Sequence, residues 1–252
     1  MILDAWITIP VLIFSAIVGG LVRRLSGFGG ALIMSPLLMW VFPIPSLIPI
    51  VMSSEIFGGI LLSRQWKLHA DDRLRLWKML ACSAIFLPAG ILIGNYASVS
   101  LIKMFTSMVV LLFALYLLSK PHLKIAINSL FDGLAGALSG LLLGSCGIGG
   151  PPAALYLNAT HQEFMRTRAL LSQFVSGISL FAIVGASLMG AGLDWVYYLP
   201  LAIPAYSLGI YIGGRLLFHN PVPDSSIKRL CLMLLACNAI FNLCLLLISK
   251  LL

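Results

Sequence analysis

Two glycine clusters are the residues of this 252-residue chain whose types and spacing best suit ligand chemistry. Each stands at the junction of a long apolar run and a short one. Glycine lets the backbone turn and approach a ligand closely, at a cost to helix stability. A helix that starts there would point unpaired N–H groups and the positive end of its dipole at an anion. Close helix packing is the alternative explanation. The clusters are Gly27, Phe28, Gly29 and Gly30, and Gly147, Ile148, Gly149 and Gly150.

Two charged side chains are further candidates. Glu55 lies near the middle of an apolar run, where an ionised carboxylate costs at least about 2.5 kcal/mol unless it is paired, hydrated or neutralised. It is either a proton-coupling group or a neutral, hydrogen-bonded packing residue. Arg23 precedes the first cluster and either lines an anion path or marks topology. The remaining candidates for substrate contact are Ser53, Ser145, Cys146, Ser172 and Gln173.

Enzymatic chemistry finds no support in the sequence. Cys146 has no neighbouring histidine or acid to activate it as a nucleophile. The four histidines are far apart and show no metal-ligand spacing, and no nucleotide-binding motif is present. We therefore expect a protein that is not an enzyme and has neither an organic cofactor nor a metal site.

The elements that must position these residues are membrane-spanning helices. Hydrophobic residues make up 60% of the chain and charged residues only 10%, against about 25% charged in ordinary soluble domains. The apolar runs are continuous and of spanning length, which favours helices over alternating strands. They cover residues 6–25, 29–42, 46–63, 77–96, 100–119, 126–145, 149–160, 168–190, 195–214 and 227–249. The second and seventh are short enough to be half-helices or re-entrant segments.

Basic residues predict the orientation of these segments. The net charge of +8 comes from lysines and arginines between apolar runs, which indicates topology and not nucleic-acid binding. If 14 of the 16 basic residues are assigned to the cytoplasm, only Lys103 and Lys250 lie on the other side, and both termini are then outside the cell. The charged run 64–73 is then a solvated cytoplasmic connection, and Asp132 is an interfacial or capping residue. The prediction is a multi-pass protein of the inner (plasma) membrane, in contact with the lipid bilayer.

The two halves of the chain repeat each other. A shift of 120 places Gly27, Gly29 and Gly30 on Gly147, Gly149 and Gly150, and a shift of 119 places residues 90–94 on 209–213 and Ser53 on Ser172. Their charges are opposite, because the basic loop 64–78 aligns with residues 183–197, which contain no lysine or arginine. We therefore predict an all-α polytopic membrane protein of two inverted-topology repeats, residues 1–120 and 121–252, with about five segments each and 8–10 transmembrane or re-entrant helices.

The motifs also carry a family resemblance. The Gly-Phe-Gly-Gly cluster and the stretch Gly-Leu-Leu-Leu-Gly-Ser-Cys-Gly-Ile-Gly-Gly-Pro-Pro at 140–152 resemble the TauE/SafE family of sulfite and organosulfonate exporters over essentially the whole chain. The resemblance implies export of a small anion such as sulfite, a sulfonate or a related carboxylate, without a cofactor. At 170–173 the sequence Leu-Leu-Ser-Gln departs from the Ala-Thr-Ser type of many relatives, which weakens a contact at Gln173.

Three functions compete at this point. The leading hypothesis is a secondary transporter of a small anionic substrate, energised by an ion or substrate gradient because no ATP-binding sequence is present. An anion channel and a non-transporting scaffold subunit of another membrane complex are the alternatives, and a homo-oligomer is possible. Saturable, proton-sensitive flux distinguishes the carrier from both.

Overall fold

The computed structural model describes residues 5–63, 68–119, 126–160, 164–188, 192–219, 233 and 236–244. Within these ranges the secondary structure is entirely helical. The helices are α1 (Ala5–Ser26), α2 (Gly30–Leu38), α3 (Ile44–Ser63), α4 (Ala70–Tyr96), α5 (Val99–Leu118), α6 (Ser129–Cys146), α7 (Gly150–Ala159), α8 (Phe164–Leu188) and α9 (Leu199–His219), with a 3₁₀ helix at Asp194–Tyr198 before α9. Residues 236–244 are also helical.

Six of these helices are long and apolar enough to cross a membrane. The prediction of an all-α polytopic membrane protein is therefore confirmed. The two segments predicted to be short are short: α2 has nine residues and α7 has ten. At about 1.5 Å per residue neither reaches across a hydrocarbon core of roughly 30 Å. Residues 64–67, 120–124 and 220–229 of the predicted cytoplasmic loops, and most of the last predicted segment, lie outside the described residues.

One boundary prediction was wrong. We expected the fourth segment to begin at residue 77, but α4 begins at Ala70, inside the charged run predicted to be a solvated connection. Asp71 and Asp72 occupy the first turn, where the positive end of the helix dipole stabilises acidic side chains. Asp72 is fully buried and paired with arginines, so this polar sequence is helical because its charges are neutralised by other helices.

Helix contacts repeat between the two halves of the chain. Helix α4 of the first half packs along α6 of the second half, and in the corresponding pair α9 of the second half packs along α1 of the first. Helices α3 and α8 pack on each other at the centre, while α4 also contacts α8 and α9 contacts α3. The two halves therefore make the same contacts: α1 corresponds to α6, α3 to α8, and α4 to α9. The opposite orientation of the halves in the bilayer stays a prediction.

Four glycines that match between the halves allow these close crossings. A Cβ at Gly90 would overlap the carbonyl of Leu141, and one at Gly140 would overlap that of Ser83. The repeat-related Gly209 and Gly20 meet the carbonyls of Ile17 and Tyr206 in the same way. Small residues let helix backbones approach closely where no hydrophobic effect drives association in lipid. These glycines are therefore packing residues, unlike those at the helix breaks.

We expect Gly140→Ala to destabilise the protein by about 1–3 kcal/mol, because the new methyl group has no space against the α4 backbone. Gly133→Ala, on the same helix, is the matched control, since its Cβ would lie 3.4 Å from the Cys82 sulfur and meet nothing else. Thermal unfolding of the purified variants measures the difference. Equal melting temperatures for the two variants would contradict close packing at this crossing.

Candidate functional site

The first glycine cluster reverses the chain between α1 and α2. Gly27 has φ 85° and Gly29 has φ 103°, in the left-handed region that side chains with a Cβ rarely adopt. Helix α2 then begins at Gly30 and runs back beside α1, with all its residues but Leu37 buried. The start of α2 is thus enclosed by protein.

A carboxylate occupies the start of α2. Glu55 on α3 is fully buried, and its Oε1 accepts a hydrogen bond from the Ala31 amide at 2.6 Å. A Cβ at Gly30 would overlap both this Oε1 and the hydroxyl oxygen of Tyr206 from α9, so glycine is required for the close approach. A helix start favours an anion through its free N–H groups and its dipole. In this structure the start of α2 binds the protein's own carboxylate, and substrate binding at this cluster stays a prediction.

Arg23 on α1 completes a buried ion pair. Its Nη1 lies 2.8 Å from Glu55 Oε2, and both side chains are fully buried. Its Nη2 donates to the Ser172 carbonyl at 2.9 Å and to the Ser176 hydroxyl at 3.0 Å, both on α8. Two isolated charges would be costly here, but the pair is neutral and its hydrogen bonds offset part of the desolvation cost. The pair therefore joins α1, α2, α3 and α8 at one point.

Apart from the two atoms that form the ion pair, two polar groups at this site have no hydrogen bond among the described residues. They are the Arg23 Nε and the Tyr206 hydroxyl, and both side chains are fully buried. Buried polar atoms normally find partners, and those that do not are often functional. Tyr206 and Ser176 were not among the residues predicted from sequence. The predicted Ser53 and Gln173 are half-buried on α3 and α8 and form no hydrogen bond to either charge.

The second glycine cluster is built differently. Gly147 caps α6 with φ 71°, and α7 begins at Gly150. Pro151 and Pro152 remove two of the amide donors that the start of α7 would otherwise offer. Ser35 of α2 donates to the Gly147 carbonyl at 3.3 Å, an acceptor that Pro151 cannot satisfy. A shift of 119 places Phe174 on Glu55, so this cluster has no matching carboxylate.

The two clusters nevertheless touch each other. The nearest atom to a Cβ built on Gly150 is Cδ2 of the Phe28 ring, at 3.7 Å. Phe28 and Ile148 are both buried. Of the other predicted contacts, Ser145 donates to the Leu141 carbonyl, and its Oγ lies 3.3 Å from the Cys146 sulfur. The structure therefore brings the two clusters together but gives only the first one a charged partner.

A second group of charges closes one end of the helix bundle. Arg166 of α8 donates to both carboxylate oxygens of Asp72 on α4, at 2.5 and 3.0 Å. Arg75 of α4 donates to Asp132 of α6 at 3.1 Å and lies over the ring of Tyr156 on α7, 5.6 Å from its centroid. Asp132 is buried and lies in the first turn of α6, and its interfacial position in the membrane stays a prediction. These four charged residues form a neutral charge cluster that joins α4, α6 and α8, and Arg75 also contacts α7 through the Tyr156 ring.

The opposite end of the same helices surrounds a cavity of about 300 Å³. Helices α4, α6 and α8 each contribute a charged residue to the cluster near one end and cavity-lining residues near the other. The lining residues are Met39, Phe42, Pro43, Ile44, Pro45, Ile48, Leu87, Ile91, Gly94, Ala97, Ile102, Lys103, Leu143, Gly144, Ser145, Ala182 and Ala186. Along α8 the order is Arg166, then Ser172 and Ser176, then Ala182, so the Arg23–Glu55 pair lies between the charge cluster and the cavity.

One comparison with known proteins finds a relationship. A family model described as "Sulfite exporter TauE/SafE" matches residues 12–241, which include both glycine clusters, Arg23 and Glu55. No curated protein and no solved structure matches the chain. The match covers nearly the whole chain and confirms the resemblance drawn from the glycine motifs.

The ion pair makes a thermodynamic prediction. Arg23→Met leaves a buried carboxylate without its partner, and we expect it to destabilise the protein by about 3–5 kcal/mol. Adding Glu55→Gln should recover part of that loss, because the amide is neutral and its oxygen can still accept from Ala31. Thermal unfolding of both single variants and the double variant measures the coupling, with Lys78→Met as the exposed control. Strictly additive losses would mean that the two charges do not interact.

Proposed function

The chain belongs to the TauE/SafE sulfite exporter family and is a multi-pass membrane transporter, and we propose that it exports a small anion such as sulfite, a sulfonate or a related carboxylate in a proton-coupled cycle. The observation that carries this proposal is the buried Arg23–Glu55 pair at the start of α2. Arg23, the first amides of α2 and the Ser172 and Ser176 hydroxyls are the groups that would hold the substrate.

Substrate and Glu55 compete for the same donors in this cycle. One guanidinium and one helix start can neutralise a single buried negative charge. A second buried negative charge would stay unpaired, at a cost of several kcal/mol. When Glu55 takes up a proton, Arg23 loses its counter-ion and a substrate anion replaces the carboxylate. When the anion leaves, Glu55 releases its proton and the pair forms again. The Tyr206 hydroxyl beside Glu55 Oε1 is positioned to donate a hydrogen bond to whichever anion is present.

The stoichiometry follows from charge balance. The site is neutral when empty, as Arg⁺ and Glu⁻, and neutral when loaded with one proton and one monovalent anion. One anion therefore moves with one proton, and the membrane potential neither drives nor opposes the step. An anion that accumulates inside the cell leaves down its own gradient together with a proton. No ATP-derived energy is required.

Access to the site supports a carrier over a channel. A continuous pore would need a path through both ends of the bundle, whereas the charge cluster of Asp72, Arg75, Asp132 and Arg166 joins α4, α6 and α8 near one end. The cavity lies toward the other end. A carrier exposes its site to one side at a time, so the charge cluster would separate when the site faces its side. A scaffold subunit would need neither the pair nor the cavity.

In this proposal the protein lies in the inner (plasma) membrane with both termini outside, and its halves are inverted repeats. Cysteines introduced at the exposed Ser98 and Ser187 should react with a membrane-impermeant maleimide in intact cells, because their loops carry no basic residues. Cysteines at the exposed Ser63 and Ile127 should react only after permeabilisation. A background without the native cysteines is the control. Labelling of all four sites from one side would overturn the inverted arrangement.

Proton coupling is tested with Glu55→Gln. The amide cannot titrate, so Arg23 stays without a counter-ion and binds the anion without a proton. We expect sulfite flux in proteoliposomes to lose its pH dependence and to become electrogenic, so that valinomycin-clamped potentials change its rate. Asp71→Asn, an exposed acid on α4, is the control and should keep the parent profile. Electroneutral flux with an unchanged pH profile in Glu55→Gln would make Glu55 structural.

A further inference from the structure

The cavity between the ends of α4, α6 and α8 carries a single charge. Of its lining residues Lys103, on α5, is the one that ionises, and the others are apolar, glycine or Ser145. Ser145 already donates its hydroxyl proton to the Leu141 carbonyl. Lys103 is half-buried and forms no ion pair with any described carboxylate. The cavity thus joins an apolar wall to one cation that lacks an anionic partner within the described residues.

The position of that cation is fixed by an aromatic ring. Lys103 Nζ lies 4.0 Å from the centroid of the Trp40 ring, a cation–π contact. The indole N–H of Trp40 donates to Asn242 at 2.6 Å, which holds the ring in place. Lysine loses considerable rotamer freedom when it is ordered, so a cation held in advance costs less to use in binding. Lys103 is therefore preorganised at the cavity wall.

The cavity is separate from the Arg23–Glu55 pair. On α3, Ile48 lines the cavity and Glu55 lies seven positions further, about 10 Å along the axis. On α8, Ala182 lines the cavity while Ser176 contacts Arg23. The cavity therefore lies beside the transport site, toward the end of the bundle opposite the charge cluster.

We propose that this cavity binds an organic anion with a short hydrocarbon body, a sulfonate or carboxylate whose charged group contacts Lys103 and whose hydrocarbon part packs on the walls of α4, α6 and α8. The proposal rests on the proposed function and adds a second anion-binding site beside the transport site. A hydrated inorganic anion such as sulfite has no apolar surface, so it would lose hydration in the cavity and gain nothing from the walls. About 300 Å³ is the lower end of the size range of small-molecule sites. The apolar lining and the lone cation therefore both fit an amphiphilic anion.

Lysine alone would not select such a ligand. The apolar residues that face the cavity come from every side of it, and they include Phe42, Ile48, Leu87, Ile91, Ile102 and Leu143. Burial of one methylene contributes about 0.8 kcal/mol, which corresponds to roughly fourfold in affinity. A chain of several methylenes then outweighs the gain from the single charge contact. Affinity in this cavity should therefore depend on chain length more than on the chemistry of the anionic group.

The test uses the full-length protein in nanodiscs of zwitterionic lipid, titrated calorimetrically with methane-, propane-, butane- and hexanesulfonate. We expect affinity to rise about fourfold per methylene until the cavity is filled. Lys103→Met should weaken hexanesulfonate binding about tenfold, the loss of one charge-assisted contact, and Lys103→Arg should restore most of it. Lys78→Met, an exposed lysine bonded to Ser129 on the α4–α6 surface, should bind like the parent.

A cavity-filling variant gives a second measurement. Ala97 lines the cavity just after α4 in an extended conformation that any residue adopts, with φ −81° and ψ 143°. We expect Ala97→Phe to abolish the chain-length dependence. Ser98→Phe, exposed at the next position, should keep it.

The possible failures of the two proposals are distinguishable. A flat chain-length series in a protein that transports sulfite overturns the cavity proposal and leaves the transport proposal intact. Loss of hexanesulfonate binding when 20 mol% anionic lipid is added shows that a lipid occupies the cavity, and it also overturns the proposal. Absence of flux and of binding for every anion overturns the transport proposal itself. A rising series that Lys103→Met weakens and Lys78→Met does not supports the cavity proposal.

Discussion

The contact between Arg23 and Glu55 is the interaction on which the other features depend. An ionised side chain in the apolar interior must be neutralised, and each of these two residues is the other's counter-ion. Holding them 2.8 Å apart requires α1 to end at Ser26, α2 to begin against the carboxylate, and α8 to supply the Ser172 carbonyl and the Ser176 hydroxyl to Nη2 of the guanidinium. That geometry requires glycine at three positions. Gly27 and Gly29 adopt left-handed backbone conformations, and a Cβ at Gly30 would overlap the Glu55 carboxylate.

Much of this arrangement was predictable from the sequence. Continuous apolar runs predicted the helices, and glycine followed by another apolar run predicted the breaks at 27–30 and 147–150. Arg23 and Glu55 were each notable as charges near or in apolar sequence. Their pairing was not predictable, because the two belong to different segments whose relative rotation is set by packing. Tyr206 and Ser176 escaped notice because a single hydroxyl in an apolar helix has no periodic signature.

The start of α4 shows the opposite error. A run of Asp, Arg and Lys has the composition of a solvated loop, and hydropathy places it there. The structure buries Asp72, Arg75 and Asp132 because arginines from neighbouring helices neutralise the acids. Local composition reports the cost of burying a charge but not whether a partner is available. The Arg23–Glu55 pair has no counterpart at the matching positions of the second half, where Glu55 corresponds to Phe174 and Arg23 to Leu143.

Pro36 within α2 has a consequence for how the protein is made. Proline has no amide hydrogen, so the carbonyl of Leu32, one turn earlier, lacks its helical donor. Asn238 donates to that carbonyl at 3.3 Å and to the next, that of Ile33, at 3.2 Å. The helical segment 236–244 therefore completes the hydrogen bonding of a helix that is synthesised earlier. During synthesis the Leu32 carbonyl has no donor from Asn238 until that residue, 206 positions further along the chain, has been made. Final assembly of the first half is thus a late event in biogenesis, although its residues emerge first.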